Sequence, residues 1–389
     1  MFCPRSPLSR KTSLLIPLLV FTLAESVAGQ QHHHDELTEQ QVGTVHFPTS
    51  CDPAVQKTFE RGVALLHSFA FETAETTFRE VAKDDPRCAI AHWGMATTFS
   101  RWAGPDEKQR KRGWDEIRIA KSLHAKTARE RDYIAAEAVI YAHPNKKDDK
   151  RGDRYLKAMD RLYRRYPEDH EAAAFYALAL EESDSDDATH ARRKQAAAIL
   201  EDLFIIEPQH PGVAHYLIHT YDIPGMAELG LPAARRYAQI APAAPHALHM
   251  PSHIFARLGM WREDIESNVA SVAASRNAGM THMGDAGHQY HAMEFLVYAY
   301  LQSGREDEAK HIIEEVKTLP KMNNMYGTDF DPNLSSQVEY AASYVTELRL
   351  WKDAMALPLL TDNGDGDSSL TYKARAIGAA RLGDRKRPD

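Results

Sequence analysis

Three histidine-bearing segments decide the fold of this chain: PQHPGVAHYLIHTYD (208–222), APHALHMPSHIFARLGMW (244–261) and GHQYHAMEFLVYAYLQSG (287–304). The first segment carries His215 and His219, four residues apart, and the second carries His249 and His253 with the same spacing. Both members of the second pair follow those of the first by 34 residues. A fixed spacing of this size predicts consecutive helical hairpins in which the same two positions carry histidine.

The stretch DPAVQKTFERGVALLHSFAFETAETTFREVAKDDP (52–86) shows how such a hairpin is built. Gly62 and Ala74 are small, Phe78 is large and Pro86 closes the second helix. Small residues let two helices approach to about 8 Å, and proline ends a helix. This pattern resembles the tetratricopeptide-repeat consensus. The resemblance implies an all-α, right-handed superhelical solenoid of about eight hairpins, whose first helices line a concave groove.

The helix-period pattern divides the chain into four parts. Residues 51–360 form the predicted repeat domain, and residues 361–389 form a linker and C-terminal tail. Residues 1–29 order basic, apolar and small residues as a secretory signal peptide does, and residues 30–50 are polar and predicted to be flexible. The chain also resembles a group of exported bacterial tetratricopeptide-repeat proteins that carry HYLIHTYD and HMPSHIF segments. That resemblance implies no particular activity.

Composition limits the location and the partners of the protein. The formal charge of −8 argues against a nucleic-acid partner, which a basic stripe would mark. No stretch after the signal peptide approaches the length of a membrane span. We therefore expect an exported protein, periplasmic or secreted, that is soluble once the signal peptide is cleaved.

Two cysteines remain after cleavage, Cys51 and Cys88, and each precedes the first helix of its hairpin. Neighbouring first helices start close together, so a disulfide is sterically reasonable in an oxidising compartment. The alternative is a pair of buried thiols.

The groove positions of the repeat can be assigned from Pro208, Gly259 and Gly304 without using any histidine. With that register, every polar residue of interest in hairpins five, six and seven falls on a groove position. Residues four apart share one helix face, so these side chains are predicted to form one concave patch. The predicted ligand-binding groove contains His215, His219, Asp222, His246, His249, His253, His291, Glu294 and Tyr298.

Three interpretations of this patch stay open. The favoured one is a binding module that takes a peptide, a protein or a small ligand in the groove. The alternative is a transition-metal site, catalytic or not, in which His215, His219, His249 and His253 bind zinc, copper or iron. The third is a structural role without a ligand. No zincin motif, phosphate loop or nucleophile elbow supports another enzyme class.

Pro251 lies inside the predicted first helix of hairpin six, between His249 and His253. Proline removes a backbone hydrogen bond there and is predicted to kink the helix, which would aim the two rings.

Overall fold

The computed structural model describes residues 37–100, 107–142, 150–183, 188–280, 287–323, 332–359 and 369–383. The predicted signal peptide and most of the predicted linker lie outside these ranges. The described residues are helical, with no strand among them. Their α-helices are α1 Glu39–Val42, α2 Gln56–His67, α3 Phe71–Asp84, α4 Ala89–Thr98, α5 Glu107–Ser122, α6 Ala128–Tyr141, α7 Arg151–Arg165, α8 His170–Glu182, α9 Ala191–Ile206, α10 Pro211–Tyr221, α11 Leu231–Ile240, α12 Pro245–His249, α13 Pro251–Arg257, α14 Trp261–Met280, α15 His288–Gln302, α16 Glu306–Val316, α17 Asn333–Glu347, α18 Trp351–Ala356 and α19 Ser369–Leu382, with 3₁₀ turns at Pro53–Val55 and Ala227–Gly230.

Helices α2 to α18 pack as successive antiparallel hairpins, and each hairpin stacks on the next. The predicted all-α helical solenoid is confirmed. Local sterics explain the first hairpin, because a Cβ on Gly62 would lie 2.7 Å from the ring of Phe78. A Cβ on Gly94, in the next hairpin, would lie 2.6 Å from the same ring. Glycine at both positions therefore lets α2, α3 and α4 close around one buried phenylalanine.

Hairpin six has a divided first helix, as the position of Pro251 predicts. Helix α12 ends at His249 and α13 begins at Pro251. The proline has no N–H to continue the α12 ladder, and His253 N instead bonds to Met250 O at 3.2 Å.

Folded structure begins before Cys51, which corrects the predicted flexibility of residues 30–50 for the part from residue 37 onward. Val42 and Phe47 are buried in the core. Thr44 N donates to Gln209 O at 2.9 Å. The segment is mainly polar, so its composition predicted flexibility. Its few apolar residues nevertheless bury enough surface to fix it against the core.

The predicted disulfide is present and joins Cys51 to Cys88. It ties the entry of hairpin one to the start of hairpin two. At the other end, α19 packs against α17 and α18 and closes the array, so part of the predicted tail is a capping helix. Among the described residues, no helix has both the length and the apolar character needed to cross a membrane.

The first hairpin also contacts the fifth, where α2 packs against α10. Tyr237 donates from its hydroxyl to Ser68 Oγ at 3.2 Å, and Ala243 N donates to Gln41 O at 3.0 Å. Residues 37–70 therefore cover the inner face of α10. This long-range contact buries side chains that the repeat register alone assigns to an open groove.

Candidate metal centre

Six histidine rings from α10, α12, α13 and α15 meet beneath this cover and form two clusters. In each cluster, one nitrogen per ring lies within 4.8 Å of the other two. We call them the first triad and the second triad. The first triad is His215, His219 and His246, and the second triad is His249, His253 and His291.

The first triad is centred on Nε2 of His215. Nε2 of His219 and Nε2 of His246 each lie 3.0 Å from it. The other nitrogen of His215, Nδ1, lies 2.6 Å from the carbonyl oxygen of His67. A carbonyl can only accept, so Nδ1 of His215 carries the proton and Nε2 presents a lone pair. Nδ1 of His246 is buried and has no hydrogen-bond partner among the described residues.

The second triad has a more completely defined hydrogen-bond pattern. Nδ1 of His249 lies 2.6 Å from Oδ1 of Asn268. The amide of Asn268 donates from Nδ2 to the backbone oxygen of Asp264 at 3.0 Å and to its Oδ1 at 2.7 Å. Because Nδ2 must face that carbonyl, Oδ1 must face His249 and accept its Nδ1 proton. Nε2 of His249 is therefore unprotonated in the neutral ring.

Carboxylates fix the other two rings of the second triad. Nδ1 of His253 donates to Oδ2 of Asp222 at 2.8 Å, and Nδ1 of His291 donates to Oε2 of Glu294 at 3.1 Å. Both rings thus present Nε2 lone pairs, with the tautomer set by a carboxylate as in many metal sites. Asp222 also accepts from Arg257 Nε at 2.7 Å, which holds the carboxylate in place.

One contact in the second triad cannot be an ordinary hydrogen bond between neutral rings. Nε2 of His249 and Nε2 of His253 lie 2.9 Å apart, yet both Nδ1 atoms carry the protons. Two lone pairs at this distance repel unless a cation lies between them. Two imidazole nitrogens bound at about 2.05 Å to one tetrahedral ion would stand about 3.3 Å apart, so a movement of a few tenths of an ångström would let these rings hold an ion.

Burial favours the neutral, metal-binding form of five of these rings, those of His215, His219, His246, His249 and His253. Desolvation lowers the pKa of His215 to about 3 and holds the pKa values of His219, His246 and His249 well below the ordinary 6.5. The pKa of His253 is also lowered by desolvation, although the adjacent Asp222 opposes the shift. Proton bridges between the rings are therefore disfavoured at neutral pH.

The structure divides the predicted four-histidine set and moves it away from the solvent. His215 and His219 belong to one triad, and His249 and His253 belong to the other. His215 and His249 are 0% and 1% exposed, so an open groove is the wrong description of their surroundings. His215 is buried by the cover formed by residues 37–70, and His249 is enclosed by the rings of His246, His253, His291 and Phe295; register within a repeat reveals neither.

The turn after α2 takes part in the centre, although nothing in the sequence marked it. Phe69 has a left-handed backbone conformation, with φ 53°, which is unfavourable for a bulky residue. Its ring lies 4.4 Å from the ring of His215 and stacks on His246 at 5.3 Å. Its carbonyl accepts from Nε2 of a further buried histidine, His288, at 3.3 Å. The strained turn thus presents its carbonyls and one ring to the histidines.

The buried carboxylate of Glu171 stabilises the same turn by binding His67, the residue that ends α2. Oε2 of Glu171 lies 2.7 Å from Nε2 of His67, and Oε1 lies 2.9 Å from Nε2 of His210. The two rings hold the pKa of Glu171 far below its usual range, against the desolvation that would raise it. Gly212 is required here, because a Cβ would lie 2.4 Å from Nδ1 of His67. In the sequence, Gly212 within the histidine-bearing segment 208–222 is the one local sign that another element packs closely against α10.

A cavity of about 750 Å³ adjoins the second triad. His253, Asp222 and Glu294 lie on its wall nearest the triad. Tyr298, which the repeat register also assigned to the groove, lines the cavity and is 38% exposed. The residues assigned from sequence thus fall into a buried set in the triads and a set that borders this cavity.

Comparison with known proteins identifies no family. No family model matches the sequence, and no curated protein matches it. Among solved structures, the crystal structure of the P58(IPK) TPR domain matches with 14% identity and a TM-score of 0.23. The match covers 86% of this chain and all of that chain. A TM-score this low carries no argument about function.

Proposed function

We propose that this protein binds two transition-metal ions, one in each histidine triad. The observation that carries the proposal is the 2.9 Å approach of two unprotonated Nε2 atoms, those of His249 and His253. A cation removes this repulsion, whereas the neutral rings alone do not. The four rings whose tautomers are set by a carbonyl, an amide or a carboxylate, those of His215, His249, His253 and His291, direct Nε2 lone pairs into the triads.

The ligand set favours a metal of intermediate hardness. Imidazole suits zinc, copper, iron and nickel, and both cysteines among the residues that the structure describes, Cys51 and Cys88, are joined in a disulfide and offer no thiolate. Carboxylates bind the Nδ1 atoms of His253 and His291 and leave their Nε2 lone pairs directed into the second triad. Zinc, copper and iron are therefore the ions that the proposal names.

The burial of the first triad argues against direct peptide recognition by these histidines. His215 and His246 are 0% and 3% exposed, so a peptide in a groove would not reach them. The helical repeat still offers surfaces for a protein partner, and the cavity beside His253 offers room for a small ligand.

The proposed location is outside the cytoplasm. A disulfide between Cys51 and Cys88 is compatible with an oxidising compartment. The order of residues in the first 29 positions favours export through a cleaved signal peptide.

Metal analysis of the protein, purified without a polyhistidine tag, tests the proposal. His32, His33 and His34 are replaced by serine to remove adventitious ligands from the terminus. We expect two zinc, copper or iron ions per chain, and one ion in each of the variants His215→Ala and His249→Ala. The control His170→Ala, which removes a half-exposed histidine paired with Glu207, should retain two.

Folded protein that binds no zinc, copper or iron in a direct titration would overturn the proposal. A His249→Ala variant that still binds two ions would overturn the assignment of the second triad.

A further inference from the structure

The two triads differ in their access to solvent. The ring of His215 is enclosed by Phe69, by Tyr237 stacked at 5.1 Å and by the other rings of the first triad. In the second triad, the side chains of His253 and His291 are 15% and 29% exposed. An ion in the first triad is thus shielded, whereas an ion in the second triad can exchange a ligand.

The second triad borders the cavity through His253, with the carboxylates that hold its rings, Asp222 and Glu294, beside it in the lining. Its volume of about 750 Å³ is in the range of small-molecule sites, about 300–1,000 Å³. Helices α13, α15, α17 and α19 form its walls, with Ala256, Tyr298, Ser343 and Ile377 among the lining residues. The capping helix therefore has a function in this site as well as in closing the array.

The walls are predominantly acidic. Four carboxylates line the cavity, from Asp222, Glu294, Glu339 and Glu347, against the cations of Arg257 and Lys373. Arg257 is already paired with Asp222. Desolvation, together with the neighbouring Glu294, raises the pKa of Glu339 to about 8, so Glu339 is largely protonated at neutral pH and the anionic residues are Asp222, Glu294 and Glu347. The lining then carries one net negative charge, fewer than the positive charges of a divalent ion in the second triad.

We propose that the cavity binds a small molecule whose nitrogen or oxygen atom coordinates the ion of the second triad. This inference rests on the proposed function, since it needs an ion at His249, His253 and His291. It assigns different roles to the two triads. The ion of the first triad is structural, and the ion of the second triad is the one that a substrate reaches, where it would act as a Lewis acid.

Cobalt(II) can distinguish the accessible second triad from the shielded first triad, because its visible absorption changes when a ligand is exchanged. The full chain is loaded with cobalt to two ions, and imidazole is added as the probe. We expect a saturable spectral change in the wild type. The change should persist in His246→Ala, which keeps the second triad, and disappear in His249→Ala, which keeps only the first.

A cavity-filling variant tests whether the probe enters through the cavity. Ser343→Trp should retain two cobalt ions and weaken imidazole binding by at least about tenfold, the equivalent of about 1.4 kcal/mol. Ala256→Trp fills the cavity from the opposite helix and serves if Ser343→Trp does not fold. The matched control Ser122→Trp, on an exposed helix end, should bind imidazole as the wild type does.

The charge of the cavity is tested with imidazole-4-acetate, which carries a carboxylate. Glu347→Gln removes one negative charge from the lining and should strengthen the binding of imidazole-4-acetate relative to that of imidazole. Failure to bind any of zinc, copper, iron and cobalt would refute the proposed metal function itself. Two bound cobalt ions with no response to imidazole, an equal response in His249→Ala, or unchanged binding in both tryptophan variants would refute only the cavity site.

Discussion

Asn268→Ala should weaken metal binding at the second triad without removing a ligand. In the wild type, Oδ1 of Asn268 accepts the Nδ1 proton of His249 at 2.6 Å. The variant leaves that N–H without its acceptor in a site where His249 is 1% exposed. The ring can then move its proton to Nε2 and donate to His253. That tautomer satisfies the hydrogen bond but occupies the lone pair that a metal needs.

The size of the effect follows from two independent estimates. An unsatisfied buried donor costs about 1–3 kcal/mol. Loss of a residue that orients a metal-bound histidine lowers metal affinity about 10- to 100-fold, which corresponds to about 1.4–2.8 kcal/mol. The two energy ranges overlap, and both refer to the tautomer of His249 that carries its proton on Nδ1. Ser252 Oγ lies 3.5 Å from Nδ1 of His249, too far to replace the lost acceptor without movement.

Competition against a chromophoric chelator measures the affinity of each of the two ions. The matched control is Ser271→Ala, three residues further along α14. It also loses a buried hydrogen bond, from Ser271 Oγ to Pro245 O at 2.8 Å, but no bond to a triad nitrogen. We expect Asn268→Ala to weaken one ion 10- to 100-fold and Ser271→Ala to leave both within about twofold. Equal affinities in Asn268→Ala and the wild type would refute the tautomer argument, as would an equal loss in the control.

Three further predictions concern stability and geometry. Reduction of the disulfide between Cys51 and Cys88, 37 residues apart, should lower the free energy of unfolding by about 3–4 kcal/mol, and equal melting with and without reductant would contradict this. Pro251→Ala should change the stability of the metal-free protein little, because Pro251 is the first residue of α13, where proline is tolerated, and should weaken metal binding at the second triad; unchanged metal affinity would show that the helix break does not aim the rings. Burial lowers the pKa of His288 from 6.5 to about 3, so its contribution to stability is present above pH 6.5 and is lost as the pH falls toward 3. In urea unfolding of the metal-free protein, His288→Gln should therefore flatten the loss of stability below pH 6.5, and an unchanged slope would argue against a buried neutral ring.

The hairpins were predictable because their determinants are local. Gly62 and Phe78 are sixteen positions apart and meet within one hairpin, so the spacing of small and large residues carries the information. The same holds for Pro251, whose missing N–H acts on its own helix. The 34-residue spacing of the histidine pairs also places their rings on neighbouring helices by simple repetition.

The centre itself depends on contacts that no local pattern encodes. The carbonyls of His67 and Phe69 reach His215 and His288 across 148 and 219 residues of sequence. Repetition predicted one set of four histidines, whereas close nitrogen approaches group His246 with the fifth hairpin and His291 with the sixth. This grouping of the rings depends on the rotation of each helix about its own axis, to within a fraction of a turn. The break at Pro251 changes that rotation between His249 and His253.

The same long-range cover implies that metal binding and folding are coupled. Without an ion, the folded chain holds the Nε2 atoms of His249 and His253 2.9 Å apart with both Nδ1 protons in place, and Nδ1 of His246 has no partner among the described residues. These groups are solvated in the unfolded chain, so their burial opposes folding. An ion that binds only the folded centre stabilises it by mass action, by about 4 kcal/mol at a thousandfold excess over Kd. The strained turn at Phe69 and the buried Glu171 network then have a common physical role: they stabilise in advance a geometry that becomes favourable only when the ions are bound.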